Sequence, residues 1–291
     1  MQRVRLAVIP AAGMGTRFLP ISKSTPKEML PIVDKPVIQF VVEEAIASGL
    51  DDIVIVTSLL KPSIERHFTP NREMEAFLAA TGKQALLDEL RTIAKGAKIT
   101  FLRQDTQAGL GDAVRIARDY CANRPFAVLL GDCIIDSPTP RPGLRELLDI
   151  AEARDASAVA VRRVPREWVA RYGIVDGVPE PQNPSIYRLN QLVEKPAVDQ
   201  APTDLAIAGR YVFTPDIFEE IDATAQGLGG ELHLTDAMNS IARRRPMFAY
   251  VWNSRRYDIG NRVEYIKCFL DFALRRPDTA EAIRQYLVTL Q

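Results

Sequence analysis

The chain has few of the residues from which disulfide frameworks, structural metal sites and histidine-based active sites are built. Among its 291 residues there are three cysteines and two histidines. The three cysteines, Cys121, Cys133 and Cys268, are odd in number and show no C-x-x-C spacing. This pattern argues against a disulfide framework or a structural zinc site and is typical of proteins in a reducing cytosol. With only His67 and His233 available, acid–base catalysis by histidine is not expected.

The chain also lacks net charge and long apolar runs. Its 37 Lys and Arg residues balance 37 Asp and Glu residues, so no basic field draws it to nucleic acid or anionic lipid. No segment approaches the roughly twenty apolar residues that span a bilayer. The short apolar start contains Pro10 and runs directly into a glycine-rich segment, unlike a secretory signal peptide. We therefore expect a soluble, cytoplasmic protein with small-molecule partners and no nucleic-acid or membrane partner.

The most informative segment lies within the first 36 residues. An apolar run typical of a short buried strand opens onto the sequence Ala11-Ala12-Gly13-Met14-Gly15-Thr16-Arg17. Backbone N–H groups approach a phosphate closely only where side chains are absent, and glycine supplies that access together with freedom in φ. Arg17 and Lys27 add positive charge. The pattern predicts a seat for the polyphosphate of a nucleotide.

Two common nucleotide-binding motifs are absent. The dinucleotide fingerprint G-x-G-x-x-G asks for a third glycine where this chain has Phe18. No Walker-type G-x-x-x-x-G-K-[ST] occurs. A G-x-G pair alone can be a tight turn, but here two cations follow it. The segment therefore favours the binding and reaction of a nucleoside triphosphate over a dinucleotide site or a P-loop ATPase.

Strand and helix patterns alternate along the chain as they do in parallel α/β proteins. They predict a Rossmann-like mixed, mostly parallel sheet flanked by helices, in which ligands bind beyond the carboxyl ends of the strands. Predicted strands at residues 6–10, 99–103 and 126–130 each deliver a candidate site to that edge. Residues 177–185 contain three prolines and are predicted to form a mobile surface loop.

Further motifs extend the pattern of the first segment. The phosphate-loop candidate continues into Ser24-Thr25-Pro26-Lys27-Glu28-Met29-Leu30-Pro31-Ile32-Val33-Asp34-Lys35-Pro36. Shorter motifs follow in the order Gly109-Leu110-Gly111, Leu130-Gly131-Asp132, Tyr172-Gly173, Val193-Glu194-Lys195-Pro196, Gly209-Arg210-Tyr211, Leu234-Thr235-Asp236 and Tyr257-Asp258-Ile259-Gly260. In kind and order these motifs closely resemble those of the bacterial UTP–glucose-1-phosphate uridylyltransferases of the sugar nucleotidyltransferase superfamily. The resemblance implies a nucleotide-diphospho-sugar transferase fold and the synthesis of UDP-glucose and pyrophosphate from UTP and glucose 1-phosphate.

The resemblance also implies how the chain is organised. We expect a single nucleotidyltransferase domain over residues 1–291, in which 1–136 mainly bind nucleotide, 137–260 mainly bind sugar and 261–291 form C-terminal helices. Relatives assemble as homodimers or homotetramers, so the helical segment Arg262–Leu274 and the C-terminal helix are the expected interface. An apolar face there could equally pack into the core. The product would feed polysaccharide and envelope synthesis.

The implied reaction requires positive charge at one place. A phosphate oxygen of glucose 1-phosphate attacks the α-phosphorus of UTP in line and expels pyrophosphate. At an effective dielectric of about 20, two like unit charges about 4 Å apart repel by roughly 4 kcal/mol, so cations are needed, whereas a covalent nucleophile is not. By resemblance, Arg17 and Lys27 neutralise the triphosphate and the departing pyrophosphate, and Lys195 holds the sugar phosphate. Each could instead be a solvated surface charge, as is usual for Lys and Arg.

Two aspartates are the expected ligands of Mg²⁺. Asp132 follows an apolar strand, and a hard cation prefers carboxylate oxygen and is often held by one or two carboxylates together with phosphates. Asp258 is the expected second ligand. It could instead cap the helix that is predicted to begin near Asn261.

The base and the sugar are expected to meet small or polar residues. The resemblance implies that the nucleotide contacts Ala11, Ala12, Gly13, Gly15, Thr16, Gln104 and Gly109. Gln104 offers a donor and an acceptor that match the carbonyl and imide N–H of uracil, an edge that thymine shares. The sugar is expected to contact Gly173, Glu194 and Gly209, because a carboxylate accepts hydrogen bonds from hydroxyl groups and glycines leave room for the ring. Either of the two glycines could instead form a plain turn.

Three positions depart from the pattern of the resembled family. Asp112 stands where a histidine commonly follows Gly-Leu-Gly, Cys133 where Asp or Val is usual beside Asp132, and His233 where glutamine is frequent. Two alternative functions stay open: a thymidylyltransferase acting on the same sugar phosphate, and a noncatalytic regulatory paralogue. The segment 26–31 favours uridylyl transfer, and the retained Thr-Arg pair of the first loop argues against the paralogue.

Overall fold

The computed structural model describes residues 1–225 and 230–290. Short 3₁₀ helices at Thr16–Phe18, Ile21–Lys23, Lys27–Met29 and Arg166–Arg171 interrupt the longer elements. The strands are β1 (Leu6–Pro10), β2 (Pro31–Ile32), β3 (Lys35–Pro36), β4 (Asp52–Thr57), β5 (Lys98–Arg103), β6 (Phe126–Leu129), β7 (Cys133–Asp136), β8 (Ala158–Arg163), β9 (Gly173–Glu180), β10 (Asn183–Glu194), β11 (Leu205–Phe213), β12 (Phe248–Val251) and β13 (Arg255–Asp258). The α-helices are α1 (Val37–Ala47), α2 (Pro62–Phe68), α3 (Arg72–Ala80), α4 (Gln84–Thr92), α5 (Leu110–Ile116), α6 (Arg118–Cys121), α7 (Gly143–Arg154), α8 (Ile217–Ala223), α9 (Leu234–Arg244), α10 (Arg262–Ala273) and α11 (Ala280–Val288). None of these helices is long and apolar enough to cross a membrane.

A nine-stranded sheet runs through the described residues in the order β5-β4-β1-β6-β11-β8-β12-β10-β9. Strands β5, β4, β1 and β6 run parallel to one another, and β8 and β12 form a second parallel pair. The remaining pairs are antiparallel. The predicted Rossmann-like mixed α/β sheet is thus confirmed, but it is not mostly parallel, because four of its eight neighbouring pairs are parallel and four are antiparallel. Strand β11 joins the two halves by pairing with both β6 and β8.

The core lies on both faces of this sheet because side chains of a strand alternate between its faces. In β1, Leu6 and Val8 pack in one cluster with α5, α8 and α9. Ala7 and Ile9 pack in the other cluster with α1 and α7. A strand covered on both faces is a continuous apolar run, which is why residues 6–10 were recognisable from the sequence.

The segment 177–185, predicted as a mobile loop, is part of a β-hairpin. Strands β9 and β10 pair antiparallel, and Asn183 lies opposite Glu180 next to the turn. Pro179 can be accommodated because β9 is the edge strand of the sheet, where a missing N–H costs no ladder bond. The pairing register shifts between Asn183 and Tyr187. The prediction was wrong because proline excludes a central strand but not an edge strand.

Strand ends and one close approach bring the motifs to a common edge. Gly131 follows β6, and its N–H donates to the Pro10 carbonyl at the end of β1, 3.2 Å away. A Cβ at Gly131 would lie 2.9 Å from that carbonyl oxygen, so only glycine permits the contact. Asp132 therefore lies beside the loop that follows β1. The antiparallel pair β7–β13 then places Asp258 opposite Cys133.

Candidate active site

The first cavity of the site is lined by the predicted phosphate loop. It measures about 260 Å³ and is bounded by residues 13–18 together with Lys27, Asp132 and Gly260. Gly15 has φ +66°, in the left-handed region that favours glycine, where it begins the 3₁₀ turn Thr16–Phe18. Arg17 is exposed, and no ion pair of Arg17 occurs within residues 1–225 and 230–290. The loop thus offers backbone groups and a cation to the same space.

Lys27 and Asp132 form an ion pair at the floor of this cavity. Lys27 Nζ donates to Asp132 Oδ2 at 2.5 Å. Burial opposes ionisation of Asp132, but the neighbouring Lys27 ammonium, together with Arg256 and a backbone hydrogen bond, outweighs it and holds the pKa of that carboxyl below its usual value. Burial likewise opposes the charge on Lys27, and Asp132 and Glu28 outweigh it so that the Lys27 pKa is raised. Both groups are therefore held in their charged forms.

Asp258 converges on the same point as Asp132. The position that a Cβ of Gly260 would take lies 3.0 Å from Asp258 Oδ1 and 3.6 Å from Asp132 Oδ2. The Asp258 carboxylate accepts a hydrogen bond from the Gly260 N–H. The N-cap of α10 is Asn261, which accepts from two backbone N–H groups of its first turn. Helix capping therefore does not account for Asp258.

The two carboxylates suit a magnesium ion. In the described part of the chain, no group of three or more His, Cys, Asp or Glu side chains is arranged to hold a metal. Mg²⁺ needs no such cage, because it retains waters and binds through one or two carboxylates plus substrate phosphates. Asp132 and Asp258 supply hard oxygen donors beside the phosphate loop. The residues present therefore fit this ion.

A second cavity adjoins the first and holds the predicted base-binding residues. It measures about 320 Å³, and it shares Gly13, Lys27 and Asp132 with the phosphate side. Its lining includes the predicted Ala11, Ala12, Gln104 and Gly109. It also includes Glu28 of the quoted motif, and Gln107 and Glu231, which the sequence did not single out. Gly109 has φ +95°, and a Cβ there would lie 2.8 Å from the Leu232 backbone nitrogen. The Gly-Leu-Gly segment thus needs its first glycine in order to pack against residues 231–232.

The side chain of Gln104 is held by two acceptors. Its Nε2 donates to Asp112 Oδ2 at 2.8 Å and to the Gly109 carbonyl at 3.2 Å. Arg115 donates to the other Asp112 oxygen at 2.6 Å. The expectation that Gln104 presents a donor and an acceptor together to a base is therefore not met, since both N–H bonds of its amide are engaged. The departure at Asp112 places a carboxylate near the base cavity and pairs it with Arg115.

A buried ion pair supports the loop from below. Lys61 Nζ lies 2.8 Å from Glu28 Oε2 and donates to the Ala11 carbonyl at 2.7 Å. Burial raises the pKa of Glu28 and lowers the pKa of Lys61, in each case because the charged form loses hydration. Glu28 lies within a quoted motif, whereas nothing in the sequence marked Lys61. The pair ties the end of β1 to the motif that carries Lys27.

A third cavity lies on the other side of Arg17. It measures about 570 Å³, and its lining includes Arg17, Tyr172, Lys195 and Asp258. The side chain of Lys195 is 55% exposed, 3.2 Å from Glu194. Its backbone has φ +43°, in the left-handed region that is uncommon for a residue with a side chain. Lys195 and Asp258 therefore face one space from different parts of the chain.

The predicted sugar residues Gly173 and Glu194 are direct cross-strand neighbours. They pair in the β9–β10 ladder, and Glu194 Oε2 accepts a hydrogen bond from Thr235 Oγ1 at 2.7 Å. A Cβ at Gly173 would lie 3.2 Å from that carboxylate oxygen and 2.8 Å from Ile207 Cδ1. Glycine at 173 thus avoids a clash with Ile207 and with the Glu194 carboxylate.

Gly209 lies in a bend of β11 next to a buried arginine. It has φ +85°, and a Cβ would lie 3.0 Å from Leu130. Arg210 is fully buried and donates to Glu44 and to the carbonyls of Gly209 and Cys133. Cys133 itself is buried, and its thiol points to the Ala208 carbonyl. The Arg210 interactions fix the backbone next to Asp132, so Cys133 contributes through its carbonyl group.

Arg256 is a further buried cation that the sequence did not single out. Its Nε donates to the Ala208 carbonyl at 3.1 Å, and its Nη2 lies 3.5 Å from Asp258 Oδ2. The guanidinium also lies over the ring of Tyr172 at 5.6 Å. Its position two residues before Asp258 was the available signal. Arg256 balances charge where the two aspartates converge.

The arrangement of these groups defines a nucleotidyltransferase site. It combines a glycine-rich loop with two nearby cations, the converging carboxylates of Asp132 and Asp258, and Glu194 beside Lys195. The family model described as nucleotidyl transferase matches residues 6–273. The chain is 42% identical over 290 residues to the UTP–glucose-1-phosphate uridylyltransferase of Staphylococcus epidermidis, covering 100% of this chain and 99% of the relative. It is 44% identical over 287 residues to that of Bacillus subtilis, covering 99% and 97%. The chain belongs to this family of enzymes, as the motifs predicted.

Solved structures agree in fold over nearly the full length. A UDP-glucose pyrophosphorylase from Acinetobacter baumannii has a TM-score of 0.91 at 34% identity, covering 99% of this chain and 100% of that chain. A UTP-bound UGPase from the same organism matches equally well. A UDP-glucose pyrophosphorylase complexed with UDP-glucose has a TM-score of 0.84 at 37% identity, covering 94% and 100%. The predicted nucleotide-diphospho-sugar transferase fold is thereby confirmed.

Proposed function

We propose that this chain transfers the uridylyl group of UTP to glucose 1-phosphate and releases UDP-glucose and pyrophosphate. The observation that carries the proposal is the continuity of the three cavities. The base side and the phosphate side share Gly13, Lys27 and Asp132, and the phosphate side and the third cavity share Arg17. A nucleotide that extends through the first two cavities thus ends beside the third, where Lys195 can hold a sugar phosphate. The names of the similar proteins support the same pair of substrates.

The residues of the chain act by positioning and by charge. Ala11, Ala12, Gly13, Gln104 and Gly109 hold the base and ribose, and Gly15 and Thr16 line the phosphates. Arg17 and Lys27 neutralise the triphosphate and then the departing pyrophosphate, while Lys195 orients the attacking phosphate oxygen. That oxygen is already anionic, so the protein has no proton to remove and needs no covalent intermediate. Charge that develops on the leaving oxygens meets fixed cations, which lowers the barrier.

We propose that Asp132 and Asp258 hold Mg²⁺ for this reaction. When bound, the ion supplies charge neutralisation and polarises phosphate oxygens. In the absence of ligands, Lys27 Nζ donates a hydrogen bond to one oxygen of Asp132. We expect Lys27 to turn from that carboxylate toward the phosphates as the nucleotide binds. The sugar is expected to use Gly173, Glu194 and Gly209, with Glu194 accepting from ring hydroxyl groups.

The alternative as a thymidylyltransferase has less support. A solved glucose-1-phosphate thymidylyltransferase, named as putative, from Bacillus anthracis matches with a TM-score of 0.68 at 21% identity, which shows the shared fold alone. The noncatalytic alternative is disfavoured because Arg17, Lys27, Asp132 and Asp258 all converge on one site.

We further propose a cytoplasmic enzyme that acts as one domain, forms homodimers or homotetramers, and supplies UDP-glucose for polysaccharide synthesis. Two large apolar side chains of α10, Val263 and Ile266, are more than half exposed, and so are Tyr286 and Val288 of α11. Burying such a surface against a second copy would remove apolar area from water. This supports the predicted interface on the C-terminal helices.

The direct test is pyrophosphate release with glucose 1-phosphate and magnesium, comparing UTP with dTTP. We expect release with UTP, and a loss of at least about 100-fold in Arg17→Ala and Asp132→Ala because each removes a charge used in the transition state. Arg72→Ala and Asp199→Ala, which change exposed residues outside the cavities, serve as matched controls. Faster release with dTTP would favour the thymidylyltransferase. No release from folded protein with any triphosphate would favour the noncatalytic paralogue.

A further inference from the structure

The side chain of Gln104 has only one group left for a ligand. An amide carries two N–H donors and one carbonyl acceptor. Both contacts of Nε2, with Asp112 Oδ2 and with the Gly109 carbonyl, are to groups that can only accept. The amide cannot be reversed, because its carbonyl would then face two acceptors. Oε1 is therefore the atom that Gln104 presents to the base cavity.

Asp112 is the residue that enforces this orientation. It is 5% exposed and Gln104 is 4% exposed, so neither side chain can exchange its partner for bulk water without moving. Arg115 donates to Asp112 Oδ1, and a guanidinium can only donate, so this oxygen acts as an acceptor. Each oxygen of Asp112 thus has a donor, one from Arg115 and one from Gln104.

We propose that Asp112 is a specificity-determining positioning residue, which orients Gln104 so that the base cavity accepts pyrimidines with an imide N–H and rejects cytosine. Uracil and thymine carry a hydrogen on N3 and can donate it to Gln104 Oε1. Cytosine has an unprotonated N3 whose lone pair would face the Oε1 lone pairs. An acceptor against an acceptor in a buried site leaves both unsatisfied, which is costly. This inference rests on the proposed function only in placing a pyrimidine nucleotide in this cavity.

The test is equilibrium binding of UTP and CTP, in the presence of magnesium and without sugar phosphate. We expect the unmodified protein to bind UTP at least about 100-fold more tightly than CTP, because a buried site that needs a donor rejects a base lacking it. Asp112→Asn replaces the acceptor oxygen that faces Gln104 by an NH₂ group of the same shape. The Gly109 carbonyl is then the one acceptor that opposes a reversed amide, so Gln104 can present its own NH₂ to cytosine more readily. The UTP/CTP affinity ratio should fall at least about tenfold, mainly through tighter CTP binding.

Asp119→Asn is the matched control, since it makes the same change at an exposed aspartate seven positions along the chain. It should leave the ratio unchanged. If Asp112→Asn does not fold, Asp112→Ala makes the same test by removing the acceptor, with a smaller fall in the ratio. A folded Asp112 variant that weakens both nucleotides equally, or leaves the ratio unchanged, overturns the proposal. Binding is measured without turnover, so the outcome of this test can be interpreted even if the proposed transferase activity is not found.

Discussion

Lys27 and Asp132, which stand 105 positions apart in the sequence, meet in a 2.5 Å ion pair at the floor of the phosphate cavity. The residue expected to bind the triphosphate therefore neutralises the residue expected to bind the metal as long as neither ligand is present. The pair helps to keep a partly buried carboxylate ionised, since burial alone would favour its protonation. Substrate and metal binding then replace one interaction of Asp132 with another without leaving it unpaired.

Replacing Lys27 should change both nucleotide binding and the pH dependence of activity. In Lys27→Met the ammonium that lowers the Asp132 pKa is lost, so that pKa should rise and the acid limb of the kcat/KM profile for UTP should move to higher pH. The KM for UTP should also increase at least about tenfold through loss of a phosphate cation. Lys23→Met, at an exposed lysine of a neighbouring 3₁₀ turn, should change neither. An unmoved acid limb in Lys27→Met would show that Lys27 does not set the ionisation of Asp132.

Replacing Lys195 should affect the sugar phosphate alone. Lys195→Ala removes a cation from the third cavity but none from the nucleotide cavities, so the KM for glucose 1-phosphate should rise at least about tenfold while the Kd for UTP is unchanged. Lys267→Ala is the matched control, because Lys267 lines the same cavity and pairs with Glu264 at 3.1 Å, much as Lys195 pairs with Glu194 at 3.2 Å. Equal effects of the two variants would mean that only the overall charge of the cavity matters.

Alanine substitutions at two glycines with nearly the same φ can distinguish backbone strain from a steric clash with a neighbouring residue. Gly109 has φ +95° and a Cβ position 2.8 Å from Leu232, whereas Gly96 has φ +92° and nothing within 4 Å. Gly96→Ala should lower the free energy of unfolding by about 1–2 kcal/mol through strain. Gly109→Ala should lower it more and should raise the KM for UTP, because residues 231–232 must move. Both are measured by urea unfolding and steady-state kinetics. Equal losses of stability would argue against the close contact with Leu232.

Breaking the buried Glu28–Lys61 pair should destabilise the whole fold. Glu28→Gln leaves the Lys61 ammonium buried without its carboxylate, at an expected cost on the order of 3–5 kcal/mol in the free energy of unfolding. The double variant Glu28→Gln with Lys61→Met removes both charges and should be more stable than Glu28→Gln alone. Urea unfolding of the single and double variants measures this coupling. A double variant that loses the sum of the two single effects would show that the pair makes no net interaction.

Much of the site was predictable because its residues stand in short motifs. The glycine loop at residues 11–15, Asp132 after β6 and Gln104 after β5 all follow from strands that end at the same edge of the sheet. Lys61 and Arg256 were missed because Lys and Arg are usually exposed, and nothing in the sequence marks one that is buried. Their roles became clear only when the structure showed their partners. The hairpin at 177–185 was missed because edge position depends on the order of strands in the finished sheet.

The sequence by itself determined strands such as β1, β5 and β6, the glycine loop that follows β1 and the family to which the chain belongs. These depend on residues close together in the chain, such as the apolar run of β1 and the loop that follows it. The tertiary structure alone decided which charges meet, as in Lys27 with Asp132 and Gln104 with Asp112. Gly173 and Glu194 were both predicted to contact the sugar, but only the register of β9 and β10 showed that they are neighbours. The physical reason is that local backbone preferences act over a few residues, whereas contacts between distant side chains depend on strand order, register and packing across the whole sheet.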